Sequence, residues 1–213
     1  MASSTRKERE KQVRRQEILE AARAVIAAKG LSGATMEEIA DKADYKPATL
    51  YLYFGSKDDL LASLYLSAMQ FVVDEIEALA QQPEPDPLQK LKKLPDLLSR
   101  VYRFDPAVLM SLFYMQAGKG YSNIAADTLE QLNQLAQRGI RGLAGVFADG
   151  IARGRLEMLS PIVLADTVWS LFAGVVLWEE SKRFFDPSKD HVESTLRAAM
   201  GLLFKGMTKD CAG

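Results

Sequence analysis

The sequence is poor in the side chains that most enzyme active sites need. It has one histidine and one cysteine among 213 residues. The chain therefore has few of the residues needed for Ser-His or Cys-His catalysis and too few histidines for a multi-histidine metal site. We expect no enzyme activity, no cofactor and no metal site. The single cysteine, Cys211, has no partner for an internal disulfide, which fits a reducing compartment. A chain of this length with 48% hydrophobic residues is typical of a soluble globular protein.

Export and membrane signals are also lacking. The first fifteen residues hold six basic side chains, and no apolar segment follows them, so they do not form a secretory signal. The longest apolar run, Ile162 to Trp178, has 17 residues and contains Asp166. A membrane span needs about twenty apolar residues, so a helix buried in a bundle or a subunit interface is favoured over a span. We expect a cytoplasmic protein without a membrane partner.

Patterns typical of β-strands are nearly missing as well. Gly and Pro separate long stretches rich in Ala, Leu, Glu, Lys and Gln, which favour helices. We therefore expect an all-α protein with about nine helices. Gly30 is expected to stop the first helix, and the proline-rich residues 82–87 to form a connection. The predicted helices cover about Arg6–Lys29, Thr35–Ala43, Pro47–Phe54, Ser56–Ala80, Leu88–Phe104, Pro106–Ala117, Ser122–Arg153, Pro161–Phe184 and Pro187–Met207.

The most informative pattern is a pair of short helices joined by residues 43–46 and preceded by a long one, which predicts a helix-turn-helix. Thr35 and Glu38 form a capping box, in which each side chain satisfies the other's free backbone amide. Asp44 lies in the turn, where a left-handed backbone is expected, and Asp is among the few non-glycine residues that adopt it. Leu50 and Phe54 share the buried stripe of the motif, whereas the opposite side of the second short helix is suited to DNA.

Residues from about Gln16 to Leu64 resemble the TetR family of bacterial transcription regulators. The strongest matches are TMEEIADKA (Thr35–Ala43) and ATLYLYFGSKDDLL (Ala48–Leu61). The sequence departs from the family pattern at three positions, with Asp44 for the usual turn glycine, Tyr45 for a small aliphatic residue and Tyr53 for a frequent histidine. The resemblance implies a transcription regulator that binds DNA through the helix-turn-helix.

The resemblance also assigns roles to individual residues. Thr35 is implied to contact phosphate as well as to cap its helix. The residues implied to enter or border the major groove are Lys46, Pro47, Ala48 and Thr49, and those implied to clamp the DNA backbone are Tyr51, Tyr53 and Lys57. Two other interpretations stay open. The first is that Tyr51 and Tyr53 belong to the core instead of contacting DNA, and the second is that the basic N-terminus is only a solvated tail. The second concerns Arg6 and Lys7, for which a minor-groove or phosphate contact is the other interpretation.

After the proline-rich connection the helices become apolar and rich in aromatic residues and methionine, which suit an irregular apolar pocket. The resemblance implies that this region binds a small-molecule inducer, while an ordinary core is the alternative for each residue. Because few charges lie in these stretches, we expect a lipophilic ligand. The candidate ligand-binding residues are Tyr102, Arg103, Phe104, Met110, Phe113, Tyr114, Asp166, Trp169 and Phe172.

The last two predicted helices are expected to form a subunit interface, because a helix that is apolar nearly all round has a second side to bury. A twofold dimer would place two helix-turn-helix motifs on successive major-groove turns and match a palindromic site. The candidate interface residues are Leu171, Val175, Trp178, Val192, Leu196, Ala199, Leu203 and Met207.

These expectations combine into a helix-turn-helix DNA-binding domain over residues 1–55 and a ligand-binding and dimerisation domain over residues 56–213. We expect a homodimeric repressor that a lipophilic molecule releases from DNA. The alternative is a helical small-molecule carrier or enzyme with an N-terminal interaction module. Charge favours the regulator: the net charge of −1 combines +3 in residues 1–57 with −4 in residues 58–213, so the basic charge lies where DNA would bind.

Overall fold

The computed structural model describes residues 2–84, 86–117 and 124–208, and within helices it leaves out the side chains of residues 2–5, 114–117 and 184. Cys211 lies outside the described residues. Over these ranges the chain forms nine helices and no β-strand, which confirms the all-α prediction. They are α1 (Ala2–Gly33), α2 (Met36–Lys42), α3 (Pro47–Tyr51), α4 (Lys57–Gln81), α5 (Pro87–Phe104), α6 (Pro106–Ala117), α7 (Ala126–Ala152), α8 (Pro161–Phe185) and α9 (Val192–Met207).

The helix boundaries around the helix-turn-helix follow the capping signals. Gly30 interrupts α1 with φ 72°, a left-handed conformation that suits glycine, and one further turn follows it. Thr35 precedes α2 with both hydrogen bonds of the predicted capping box. Asp44 has φ 59° and is the one non-glycine residue with positive φ in the described chain, which confirms the left-handed turn.

The start of α9 differs from the prediction, and α5 contains a proline. Helix α9 begins at Val192 instead of Pro187, because Asp186 uses its carboxylate on the Ser188 amide (3.1 Å) and hydroxyl (2.6 Å) and so stabilises a tight turn. Pro95 lies inside α5, where the Ser99 hydroxyl donates to the Pro95 carbonyl at 2.8 Å. This is the hydrogen bond from a serine hydroxyl to the carbonyl four residues earlier that is common within helices.

The chain divides into two compact units, which we call unit 1 and unit 2. Unit 1 comprises the described residues of Met1–Ser67 and Pro106–Leu132, and unit 2 those of Ala68–Asp105 and Asn133–Gly213. Unit 1 buries a core that includes Ile18, Ile39, Leu50, Phe54 and Leu64. Unit 2 buries a core that includes Val73, Leu94, Phe147, Phe172 and Leu196. The domain boundary between residues 55 and 56 stays a prediction.

Helix α8 is long and apolar enough to cross a membrane by length and composition alone, over Pro161–Arg183. Within unit 2, however, its burial is one-sided. Leu164, Val168 and Phe172 are buried, whereas Asp166 and Ser170 are exposed. Core helices of soluble proteins meet the same length and composition criteria, and this amphipathic burial is typical of them.

Candidate nucleic-acid interface

Helix α3 has one buried and one exposed side. Leu50 and Phe54 are almost completely buried, as the sequence predicted, while Lys46 and Ala48 are exposed and Thr49 is half-buried. Tyr51 is 52% exposed, so the alternative that it belongs to the core is wrong. The exposed side therefore combines an amine and a methyl group at the start of a short helix with a phenol at its end, and such groups can contact base edges and phosphates.

The start of α3 follows from local sequence. Lys46 has an extended backbone at the N-cap, and Pro47 stands at the first helical position, where its missing amide proton costs no hydrogen bond. The short connection keeps α3 close to α2, because the Tyr45 amide donates to the Ala40 carbonyl at 2.9 Å. Lys46, Pro47, Ala48 and Thr49 thus all lie at the N-terminal end of α3, which is the end that recognition helices direct at bases.

Thr35 is engaged in the capping box. Its hydroxyl accepts from the Glu38 amide at 3.2 Å, and its own amide donates to the Glu38 carboxylate at 3.2 Å. Lys29 donates to the other carboxylate oxygen at 2.5 Å. This hydrogen bond from Lys29, with that from the Thr35 amide, holds the pKa of Glu38 below its usual range. The Thr35 side chain stays exposed, and its phosphate contact remains a prediction.

Lys57 is engaged within the chain. Its ammonium group donates to the Leu31 carbonyl at 2.7 Å, so it ties the last turn of α1 to the first turn of α4. In the DNA-free protein the residue expected to clamp phosphate therefore stabilises the motif, and its contact with DNA stays a prediction. Ser56 caps α4 by accepting from the Asp59 amide at 3.0 Å, as expected from sequence.

The N-terminal half of α1 forms the second exposed surface of the interface. Arg6 pairs with Glu10 at 3.0 Å and is largely exposed, and Lys7 is exposed. Arg14, which the sequence analysis did not single out, is exposed and forms a hydrogen bond with the half-buried Tyr53 side chain. Arg6, Lys7 and Arg14 thus belong to the same compact unit as α3.

Tyr45, one of the departures from the family pattern, has a clear structural role. Its hydroxyl donates to the Glu17 carboxylate on α1 at 2.5 Å, and this hydrogen bond raises the pKa of Tyr45. A small aliphatic residue at this position would not reach Glu17. The turn of this protein is therefore tied to α1 by a contact that a comparison of residue types alone does not reveal.

The candidate ligand-binding residues lie in both units. Met110 and Phe113 are in unit 1, half-buried and buried respectively, and the side chain of Tyr114 lies outside the described residues. In unit 2, Phe104 stacks on Phe71 with ring centroids 4.2 Å apart, and Trp169 contacts Phe172 at 5.5 Å. These aromatic pairs provide apolar surface, but ligand binding at any of these residues stays a prediction.

Two of the polar candidates for ligand binding lie at the surface. Arg103 is exposed and pairs with Glu193, and Asp166 is exposed, so neither lines a buried site in unit 2. Tyr102, in contrast, is buried and donates to Glu180, and Arg183 donates to the Tyr102 hydroxyl at 3.0 Å. Burial, with the hydrogen bond to Glu180, raises the pKa of Tyr102.

The candidate interface residues differ in exposure, and their role in an interface stays a prediction. Val175, Val192, Leu196 and Met207 are already buried within one chain and therefore belong to its own core. Leu171, Ala199 and Leu203 are half-buried, and Trp178 is 65% exposed. Leu202, which lies just off the predicted stripe, is 75% exposed. Among the described residues, Trp178 is the one predicted interface residue that is also a large exposed apolar side chain of α8 or α9.

Comparison with known proteins agrees with this geometry. Residues 18–64 match the family described as "Bacterial regulatory proteins, tetR family", which spans the buried part of α1, the helix-turn-helix and the start of α4. The matched segment is a TetR-family DNA-binding domain. It is 28% identical over 195 residues to the HTH-type transcriptional regulator BetI of Rhizobium meliloti, an alignment that covers 87% of this chain and 91% of BetI.

Solved structures of TetR-family proteins show the same fold. The regulator PfmR from Thermus thermophilus matches with a TM-score of 0.71 and 20% identity over 88% of this chain and 97% of its own. FadR from Bacillus subtilis, solved in complex with stearoyl-CoA, matches with a TM-score of 0.67 and 21% identity over 90% of this chain and 98% of its own. The protein is a DNA-binding transcription regulator.

The described residues also contain no group of three or more His, Cys, Asp and Glu side chains placed to hold a metal ion. The polar side chains that define the site are cationic or phenolic. Such groups bind phosphate and base edges without a metal.

Proposed function

We propose that this TetR-family protein is a cytoplasmic homodimeric repressor, which binds a palindromic operator and is released by a lipophilic small molecule. The observation that carries the proposal is the exposed face of α3, with Tyr51 half-exposed beside Lys46, Ala48 and Thr49, inside the segment that matches the family. The exposed Tyr51 side chain is free to contact a partner molecule. The neighbouring Lys46 is positively charged, and DNA is a partner whose phosphates complement that charge.

The homodimer is supported by the exposed apolar side chains of α8 and α9. Trp178 and Leu202 are 65% and 75% exposed, and Ser170, Gly174 and Gly201 present small exposed residues on the same two helices. Large exposed apolar side chains beside small residues allow helices from two copies to approach closely. A twofold axis would then pair two α3 helices with half-sites about one DNA turn apart.

The lipophilic effector is supported by unit 2. The stacked pair Phe71–Phe104 and the pair Trp169–Phe172 supply aromatic surface, and Tyr102 with Arg183 supplies a polar end. Apolar surface and polar groups are both what an amphipathic ligand requires. The related FadR structure contains stearoyl-CoA, so a long acyl chain is the first compound to test.

The test is fluorescence anisotropy with DNA taken from upstream of the protein's own gene and with a shuffled sequence of the same length. We expect tight binding to the upstream DNA, and a fall in affinity of about a thousandfold or more between 50 and 200 mM salt for a protein with six or more phosphate contacts. A carrier or enzyme with an interaction module would bind both DNAs weakly and equally. That result would refute the regulator proposal.

The effector part is tested on the same complex. We expect stearoyl-CoA or stearate to release the upstream DNA, because a ligand that prefers the DNA-free conformation shifts the equilibrium by its differential affinity. Coenzyme A alone is the matched control for the polar part of the ligand. Release by coenzyme A alone as effective as that by stearoyl-CoA would refute the lipophilic effector, and a stable monomer in sedimentation at micromolar concentration would refute the homodimer.

A further inference from the structure

Arg15 connects three elements of unit 1 through one side chain. Its guanidinium donates to the Tyr53 carbonyl at 3.1 Å and to the Ser63 hydroxyl at 2.7 Å. The same group lies over the Phe54 ring, with Cζ 4.3 Å from the ring centroid. Arg15 stands on α1, Tyr53 and Phe54 follow directly after α3, and Ser63 stands on α4. The end of the recognition helix is therefore joined to α4 through an arginine of α1.

This arrangement depends on the shape of the arginine side chain. A guanidinium presents several N–H donors in one plane, so it bonds two acceptors and stacks on an aromatic ring at the same time, which an ammonium group does not do. Ser63 extends the chain of hydrogen bonds, because its hydroxyl donates to the Asp59 carbonyl at 3.0 Å. The network thus runs from the backbone after α3 to the backbone of the first turn of α4.

The neighbouring arginine has the opposite environment. Arg14 is exposed, whereas Arg15 is half-buried and burial lowers its pKa. In the sequence the two residues are part of one basic run. The structure separates them, with Arg14 on the solvent side of α1 and Arg15 in the packing between α1, α3 and α4.

We propose that Arg15 is a positioning residue, which fixes the orientation of recognition helix α3 relative to α4. Arg15 is bonded both to Ser63 on α4 and to the Tyr53 carbonyl, so a displacement of the first turns of α4 would move the Tyr53 carbonyl with them. The inference rests on the proposed function, since its readout is operator binding. It assigns to Arg15 no contact with DNA.

The first test compares neutral variants of the adjacent arginines by their salt dependence. Arg15→Gln is expected to weaken operator binding about tenfold, because a misplaced helix loses base contacts, with no change in the slope of log K against log salt. Its binding to shuffled DNA is expected to stay the same. Arg14→Gln is expected to reduce the slope by about 1 if Arg14 contacts phosphate. A slope reduced by about 1 in Arg15→Gln would overturn the inference.

Two further variants separate positioning from charge and from stability. Arg15→Lys keeps the charge but not the planar fork, so it is expected to show most of the loss, and full operator affinity in this variant would overturn the inference. Arg23→Gln is the matched control, because Arg23 joins the same two helices through the Ser67 hydroxyl at 2.8 Å. We expect Arg23→Gln to lower the melting temperature about as much as Arg15→Gln while operator affinity, measured well below melting, stays within about twofold.

The last test is a double-mutant cycle with Ser63→Ala. The losses of operator affinity in Arg15→Gln and Ser63→Ala are expected to be strongly non-additive, because both remove the same bridge. Additive losses would overturn the inference. The wild type is measured first, since absence of specific binding there would overturn the proposed function itself. Wild-type binding that Arg15→Gln leaves unchanged would overturn the role of Arg15 alone.

Discussion

The two units of this protein are stabilised in different ways. Unit 1 contains helices of seven and five residues, α2 and α3, which are too short to be stable alone. Buried side chains such as Ile39 and Leu50 anchor them in the core. Specific polar contacts hold them in addition, including the capping box at Thr35 and the bridge from Arg15. Unit 2 is built from longer helices such as α5 and α8, with ion pairs such as Arg138–Glu77 on its surface. Exposed ion pairs contribute little to stability, so apolar packing dominates there.

The exposed apolar residues differ in the same way. In unit 1, Tyr51 and its neighbour Leu52 are exposed at the end of the recognition helix. Among the described residues, unit 2 exposes more large apolar side chains than unit 1, and they include Met158, Val163, Trp178, Phe185 and Leu202. On the proposed function, substitutions in unit 1 are therefore expected to change geometry at the DNA, while surface substitutions in unit 2 are expected to change association between chains.

The largest effect is expected at the proposed dimer surface. Trp178→Glu places a charge in the interface twice, once from each chain of a twofold dimer. A central tryptophan contributes at least about 2 kcal/mol per copy, so the dimer is expected to lose about 4 kcal/mol, or roughly a thousandfold in its dissociation constant. Sedimentation velocity measures the dissociation, and operator binding is expected to fall with it.

The matched control is Met158→Glu, since Met158 is 80% exposed in the connection before α8. It introduces the same charge into unit 2 without changing α8 or α9. A dimer that Trp178→Glu leaves intact, or that Met158→Glu disrupts equally, would contradict the assignment of the interface to the exposed side of α8.

A smaller effect is expected in the turn of unit 1. Asp44→Val places a β-branched residue at φ 59°, which is expected to lower the free energy of unfolding by about 1–2 kcal/mol. Asp44→Asn removes the same charge but tolerates the left-handed backbone, so it is expected to retain most of the stability. Urea unfolding measures both. Equal losses in the two variants would show that charge, and not backbone conformation, limits this turn.

The sequence was sufficient for those parts of the fold that depend on local chemistry. The capping box at Thr35, the left-handed Asp44 and the end of the long part of α1 at Gly30 all follow from the preferences of a few neighbouring residues. The start of α9 did not follow from them. Asp186-Pro187 fits a helix start and a tight turn equally well. The hydrogen bond from the Ser188 hydroxyl to the Asp186 carboxylate stabilises the turn.

The functional surfaces were less predictable, because they depend on contacts between distant residues. A stripe such as Val192, Leu196 and Met207 indicates that one side of α9 is apolar, but it does not indicate whether the same chain or a partner covers it. The inward orientation of Arg15 was likewise hidden, because Tyr53 and Ser63 are 38 and 48 residues away. The basic run in the sequence indicated a positively charged segment, but it did not indicate which of its side chains point to solvent and which point into the core.

The next smaller effect concerns the cap of α2. Thr35→Ala removes the acceptor for the Glu38 amide and is expected to lower the free energy of unfolding by about 1 kcal/mol. Thr35→Ser keeps the hydroxyl and is expected to be close to wild type. Thermal and urea unfolding of both variants give the comparison, and a Thr35→Ser variant as unstable as Thr35→Ala would show that the methyl group matters and not the cap.

The smallest effect is a pH dependence of the same capping box. The hydrogen bond from Lys29 keeps the pKa of Glu38 in the folded protein below its usual value, so the carboxylate stabilises the fold above the unfolded pKa of about 4.3. This contribution is lost as the pH falls through the lower, folded pKa. Glu38→Gln retains the amide oxygen for the capping box but not the charge. Wild type is therefore expected to be slightly more stable than Glu38→Gln at pH 7 and equal to it in acid, whereas a difference that grows on acidification would contradict the Lys29–Glu38 pair as its source.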